Sequence, residues 1–182
     1  MKDELPAAVK YWEPGTRPSS VLVLGLGNPI LGDDGIGWRV AEQVGSATAG
    51  CAAPVDVDCA ALGGLSLMER MLGYGRVILV DSMWTGMQPE GSVSVYSLED
   101  LPNPGAGHTT SPHDVSLKTA LRTVEMMGAG VPRRVDVVTI ETQACYDFSE
   151  ALTPVATSAL PIATQKVLEL LGETARRDRE GM

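Results

Sequence analysis

The sequence predicts an α/β protein, a three-layer α/β/α sandwich around a mostly parallel sheet of about five strands. Three observations carry this. The run 21–24 (VLVL) and the VILV core of 76–81 (RVILVD) are apolar without alternation, as strands buried on both faces of a parallel sheet are. Strand-like runs take turns with segments of helical periodicity, the grammar of βαβ units, whose crossovers pack helices on both sheet faces. One segment, 93–96 (VSVY), alternates instead; Gly91 before it and Leu98-Glu99-Asp100 after it leave no room for a long crossover, so it reads as an edge strand.

Taken in order, residues 1–20 hold Pro6, Pro14, Gly15 and Pro18 with no sustained period and read as an irregular lead-in. The domain then spans 21–172, opening on the strand at 21–24. Ile36, Val40, Ala41 and Val44 recur at helical spacing, with Asp33 or Asp34 suited to the N-cap, where backbone N–H groups lack partners. A second strand follows at 55–59, a helix at 65–72, the third strand at 76–81 and the edge strand at 93–96. A Gly/Pro/Thr-rich loop over 102–112 precedes a helix at 115–127. A strand at 135–140 and a helix at 155–171 complete the domain, and 173–182 is a charged tail.

Composition narrows the function. At 182 residues, one domain buries about 70% of the surface its unfolded chain exposes. Fourteen basic against 23 acidic residues give a net charge of −9, which repels phosphate backbones and argues against nucleic acid or an anionic membrane as partner. Three cysteines, Cys51, Cys59 and Cys145, show no disulfide or Cys-x-x-Cys spacing and read as reduced thiols. No apolar run has the length of a signal-peptide core at the N-terminus or of a membrane span elsewhere, so a cytoplasmic location is expected.

In a parallel sheet, ligands bind at the carboxyl ends of strands, where connections diverge to opposite faces. That rule selects Asn28, Asp33 and Asp34 after the first strand, Asp58 and Cys59 at the second, Asp81 at the third and Glu141 at the last, with the loop containing His108 and running up to His113 able to fold over the same rim. Carboxylates and an imidazole on one edge suit a divalent metal or general acid/base chemistry. The stretch GLGNPILGDDGIG invites a dinucleotide reading, but its spacing puts Ile30 where glycine or alanine is needed and aspartates where a pyrophosphate must approach.

Within that turn Gly25 and Gly27 suit a tight bend and Asn28 local bonding; Asp33 is the expected cap and Asp34 the residue facing the crevice. Adjacent like charges are costly unless something cationic offsets one of them. His113 follows Ser111-Pro112, whose ring fixes the backbone before it. Cys59 shares the face of Val55 and Val57 and reads as a packed thiol with no adjacent base. Ser66 and Ser111 lack a nucleophile elbow.

The chain resembles the hydrogenase maturation endopeptidases, which trim the C-terminal extension from the large subunit of nickel–iron hydrogenases. The motifs are VLVLGLGNPILGDDGIGWRVAEQV, VILVDS at the third strand, Ser111-Pro112-His113 before a helix, and Thr139-Ile140-Glu141 with Leu152-Thr153-Pro154 beyond. The resemblance covers most of the chain and implies a phosphorylase/hydrolase-like sandwich and an aspartic-type endopeptidase. It implies that Asp34 and His113 contact a metal and act in catalysis. The third contact stays open among Asp58, Cys59, Asp81 and Glu141: ungapped alignment on Gly63-Gly64-Leu65 puts Cys59 where the family often has aspartate, and a one-residue shift to Asp58 reverses the face. The nickel it implies arrives with the substrate rather than with the free enzyme. The implied partner is the large-subunit precursor, and the enzyme itself is expected as a monomer or weak homodimer.

Two other readings use the same residues. A non-catalytic nickel-binding maturation chaperone would bind the metal tightly by itself. Peptidyl-tRNA hydrolase also opens on Gly-Leu-Gly-Asn-Pro, but it calls for a basic RNA-facing surface and a histidine soon after the turn.

Overall fold

A computed structural model describes residues 21–49, 55–101, 113–143 and 148–180, with side chains described except at 113–116 and 174–180. The lead-in, the whole 102–112 loop with His108 and Ser111-Pro112, Cys51 and Cys145 lie outside the described residues. The elements are β1 (Val21–Leu26), a short 3-10 helix (Gly32–Gly35), α1 (Ile36–Thr48), β2 (Val55–Ala60), α2 (Gly64–Met71), β3 (Arg76–Met83), β4 (Val93–Ser97), α3 (His113–Met126), β5 (Arg134–Glu141) and α4 (Pro154–Glu180). Backbone helix in α4 therefore continues past the apolar stripe that ends at Leu171, into the segment read as a tail.

The five strands form one sheet in the order β2-β1-β3-β5-β4. Four are parallel; β4 pairs with β5 antiparallel at the edge, as its alternation and short connection require. Period-2 alternation divides the core. Leu22, Leu24, Leu26, Val77, Leu79 and Val137 pack beneath α2 and α3 through Leu67, Met71 and Leu117. Val21, Val23, Ile78, Val80 and Val138 pack beneath α1 and α4 through Val40, Val44, Ala163 and Val167. Both faces of β1 and β3 are covered, which is why their sequences do not alternate in polarity.

At the amino end of the sheet, Arg76 opens β3 buried. Its Nε and Nη2 donate to Asp136 Oδ2 at 2.8 and 2.6 Å, and its Nη1 donates to the Leu170 carbonyl at 2.8 Å. A buried cation needs such pairing, and here it ties α4 to the strands. From β1 the chain goes first to β2 on one side, then crosses back to β3 on the other. The crevice lies at the carboxyl ends of β1 and β3, where these connections part.

Candidate active site

The turn leaving β1 is built by close approach. Gly27 has φ +110°, and a Cβ there would lie 1.8 Å from the Asp34 carbonyl oxygen; only glycine lets the 3-10 helix fold back over the strand end. Gly25, expected in the bend, is instead part of β1. It faces Gly37 of α1, and a Cβ on it would sit 2.3 Å from the Gly37 carbonyl oxygen, so its role is to let helix and strand touch. Asn28 closes the turn with Oδ1 accepting from Ile30 N at 3.2 Å.

Asp34 is half-buried at this rim. Its Oδ2 accepts from Asn28 N at 2.6 Å and its Oδ1 from Ser82 Oγ at 3.2 Å, so donors from both strand ends flanking the crevice hold one carboxylate. A carboxylate offers about four acceptor sites, and these donors use two, leaving capacity to take a proton from water or to bind a cation. Sequence reasoning did not single out Ser82. The signal was present in VILVDS, since alternation turns Ser82 and its neighbour Asp81 to opposite faces.

Asp33 does not cap its own helix; neither the 3-10 helix nor α1 has a side-chain cap. Buried, it accepts from Thr153 N at 2.7 Å (Oδ1) and from Thr153 Oγ1 at 2.8 Å (Oδ2), while Thr153 Oγ1 accepts from Ala156 N at 3.2 Å in the first turn of α4. Gly32 N donates to the Ser149 carbonyl and Ser149 N to that of Ile30, at 2.6 and 3.0 Å. The turn that presents Asp34 is thus clasped by the chain entering α4, 120 residues downstream of Asp33.

The four candidates for a third contact go different ways. Asp58 is turned to the α2 side, where Arg70 Nη1 donates to Oδ2, and its Oδ1 accepts from Cys59 N at 2.8 Å. Cys59 faces α1, its thiol 3.9 Å from the Trp38 carbonyl oxygen. Burial first, then the negative charges of Glu42 and Asp58, pushes that thiol up to about 11, which keeps it protonated and poorly nucleophilic near neutral pH. Glu141 is buried with three donors on it: Thr85 N at 2.7 Å and Gly86 N at 2.8 Å to Oε1, and Thr85 Oγ1 at 2.8 Å to Oε2. Asp81, also buried, shares the face of Val77 and Leu79, the side covered by α2 and α3. His113 is the first residue of α3, and its side chain lies outside what is described. Among the described residues, no three His, Cys, Asp or Glu side chains gather to hold a metal ion.

Comparison with known proteins decides the family. The family model described as hydrogenase maturation protease (HycI) matches residues 55–170. The chain belongs to the hydrogenase maturation protease family. The hydrogenase expression/formation protein HupD of Rhodobacter capsulatus is 25% identical over 158 residues, covering 87% of this chain and 74% of that protein. The hydrogenase 2 maturation protease of Escherichia coli (strain K12) is 24% identical over 154 residues, covering 85% and 92%. Among solved structures, the hydrogenase maturating endopeptidase HybD from E. coli superposes with a TM-score of 0.67 at 23% identity, covering 85% of this chain and 93% of that one. The [NiFe] hydrogenase maturation protease HybD from Thermococcus kodakarensis gives 0.59 at 18% identity, over 83% and 98%. At such identities the structural likeness establishes the fold. The family model starts at β2, so membership does not depend on the turn that carries Asp34. As a maturation protease the chain is a hydrolase, and among the described residues no helix is long and apolar enough to cross a membrane.

Proposed function

We propose that this protease removes the C-terminal extension of a nickel–iron hydrogenase large-subunit precursor after nickel has been loaded, with the metal supplied by the substrate. The observation that carries the reading is the Asp34 carboxylate, presented at the β1/β3 crevice by Asn28 N and Ser82 Oγ with acceptor capacity to spare, in a chain of this family. In this reading Asp34 and the His113 imidazole contact the nickel of the precursor, the metal polarises the scissile carbonyl or the attacking water, and a carboxylate takes the proton of that water. The third contact is open among Asp58, Cys59, Asp81 and Glu141, of which Asp58 holds Arg70 and Glu141 holds three donors. The free enzyme works in the cytoplasm as a monomer or weak homodimer.

Nickel-loaded and nickel-free precursor are mixed with the protein. Selective cleavage of the loaded form is expected; cleavage of both alike, or of neither, overturns the reading. Asp34→Asn keeps an acceptor for Asn28 N but removes the charge and the base, so processing of loaded precursor should fall by about 100-fold or more. A folded variant processing at the normal rate would remove Asp34 from the mechanism.

A further inference from the structure

A cleft of about 700 Å³ opens beyond the carboxyl end of β3. Trp84, Gln88 and Glu90 of the β3–β4 connection form one wall, and Glu141, Thr142 and Gln143 at the end of β5 the other. Its volume lies in the range of ligand clefts.

The walls are pre-set. Glu141 accepts from Thr85 N, Thr85 Oγ1 and Gly86 N at 2.7 to 2.8 Å; Thr142 N donates to the Met83 carbonyl at 2.8 Å; Gly91 N donates to the Glu141 carbonyl at 2.8 Å; and Gln143 Nε2 donates to the Glu90 carboxylate. A buried carboxylate that ties the end of β5 to the β3–β4 connection fixes the shape of the cleft between them and lowers the ordering cost of binding.

We propose that this cleft takes an extended segment of the precursor beside the cut and holds a lysine or arginine side chain of that segment. The inference rests on the proposed function. Two carboxylates, Glu90 and Glu141, line the cleft together with an indole, and among the described lining residues none is a lysine or arginine. That combination attracts a cationic side chain through charge, carried chiefly by the exposed Glu90, and it repels phosphate. The amides of Gln88 and Gln143 both donate and accept, as a peptide backbone requires. Position favours a peptide over a free cation. Trp84 follows Ser82 by two residues, at most roughly 7 Å of chain, and Ser82 Oγ is 3.2 Å from Asp34 Oδ1. A chain with its scissile bond at Asp34 therefore enters the cleft within about three residues.

The test uses the whole protein and two probes: a synthetic peptide of the precursor spanning the cut, and the same peptide with its lysines and arginines replaced by glutamine. Binding is followed by tryptophan fluorescence without turnover, with Trp84→Phe as the control, and steady-state processing of nickel-loaded precursor is measured in parallel. Glu90→Gln should weaken the cationic peptide and raise the precursor KM about three- to tenfold, with kcat within about twofold, and should leave the neutral peptide unchanged. Unchanged binding in Glu90→Gln, an equal loss for both peptides, or binding of free arginine amide as tight as the cationic peptide would each overturn the cleft assignment. Loss of nickel-selective cleavage by the wild-type protein, with charge-selective peptide binding intact, would instead count against the proposed reaction alone.

Discussion

The same substitution at two glycines of α1 should change stability in opposite directions. Alanine is favoured over glycine within a helix by about 1 kcal/mol. At Gly45 nothing opposes this, because a new Cβ would lie 3.7 Å from Val57 Cγ1, an ordinary contact. At Gly37 it would lie 2.4 Å from both the Leu26 and the Val80 carbonyl oxygens, which belong to the backbones of β1 and β3. These atoms cannot rotate away. Restoring a carbon-to-oxygen separation of about 3.3 Å needs a displacement of α1 of roughly 1 Å. A gap of that size forfeits a quarter or more of the dispersion contacts of the buried Ile36, Val40, Ala41 and Val44. Overpacking against fixed backbone costs about 3 kcal/mol, at the upper end of the usual range, so the steric cost exceeds the propensity gain by about 2 kcal/mol. Gly45→Ala should then be about 1 kcal/mol more stable than wild type and Gly37→Ala about 2 kcal/mol less stable. With a urea slope near 2 kcal/mol/M, their midpoints should differ by about 1.5 M. Gly37→Ala should also slow processing, since the 3-10 helix bearing Asp34 ends two residues before it, whereas Gly45→Ala should not. A midpoint difference below about 0.5 M, or a shift of the same sign in both variants, would refute the close approach as the reason for Gly37.

Asp33→Ala removes two buried charge-assisted bonds to Thr153 and should cost about 2–4 kcal/mol, lowering the urea midpoint by about 1–2 M, with Asp33→Asn in between because it keeps one acceptor. A shift under about 0.3 M for the alanine variant would mean that the clasp contributes little. Cys59, with its thiol pushed up to about 11, should be alkylated at pH 9 some 50-fold more slowly than an ordinary thiol, read cysteine by cysteine by mass spectrometry. Because the folded state holds that proton more tightly than the unfolded one, the same shift removes stability as pH rises above about 9 towards 11; labelling of Cys59 at the rate of a denatured control would contradict it.

The strands of the sheet were readable because each reports its own environment. Runs without alternation at 21–24 and 76–81 lie in strands covered on both faces, and VSVY marks the edge where one neighbour is missing. Local turn chemistry was readable for the same reason, since Asn28 bonds to Ile30 two residues on. Pairings across the chain were not. Asp33 looked like a cap for α1 because a carboxylate at a helix start has that local use, whereas its donors come from a threonine that begins the last helix. Thr153-Pro154 carries the sequence signature of a helix start, yet nothing local links it to Asp33.

The ambiguity at Asp58 and Cys59 has a different origin. Adjacent residues on a strand face opposite layers, so choosing between them from sequence is a choice of register. The structure fixes the register, with Asp58 beside Leu24 and Cys59 beside Gly25, and places Arg70 on the first side and the Trp38 carbonyl on the second. The carboxylate is thereby matched to a cation, and the thiol is held protonated by burial first and then by the charges of Glu42 and of that same carboxylate. Asp81 alternates with Ser82, so β3 turns the hydroxyl that holds Asp34 to one face of the sheet and a buried carboxylate to the other, the face covered by α2 and α3.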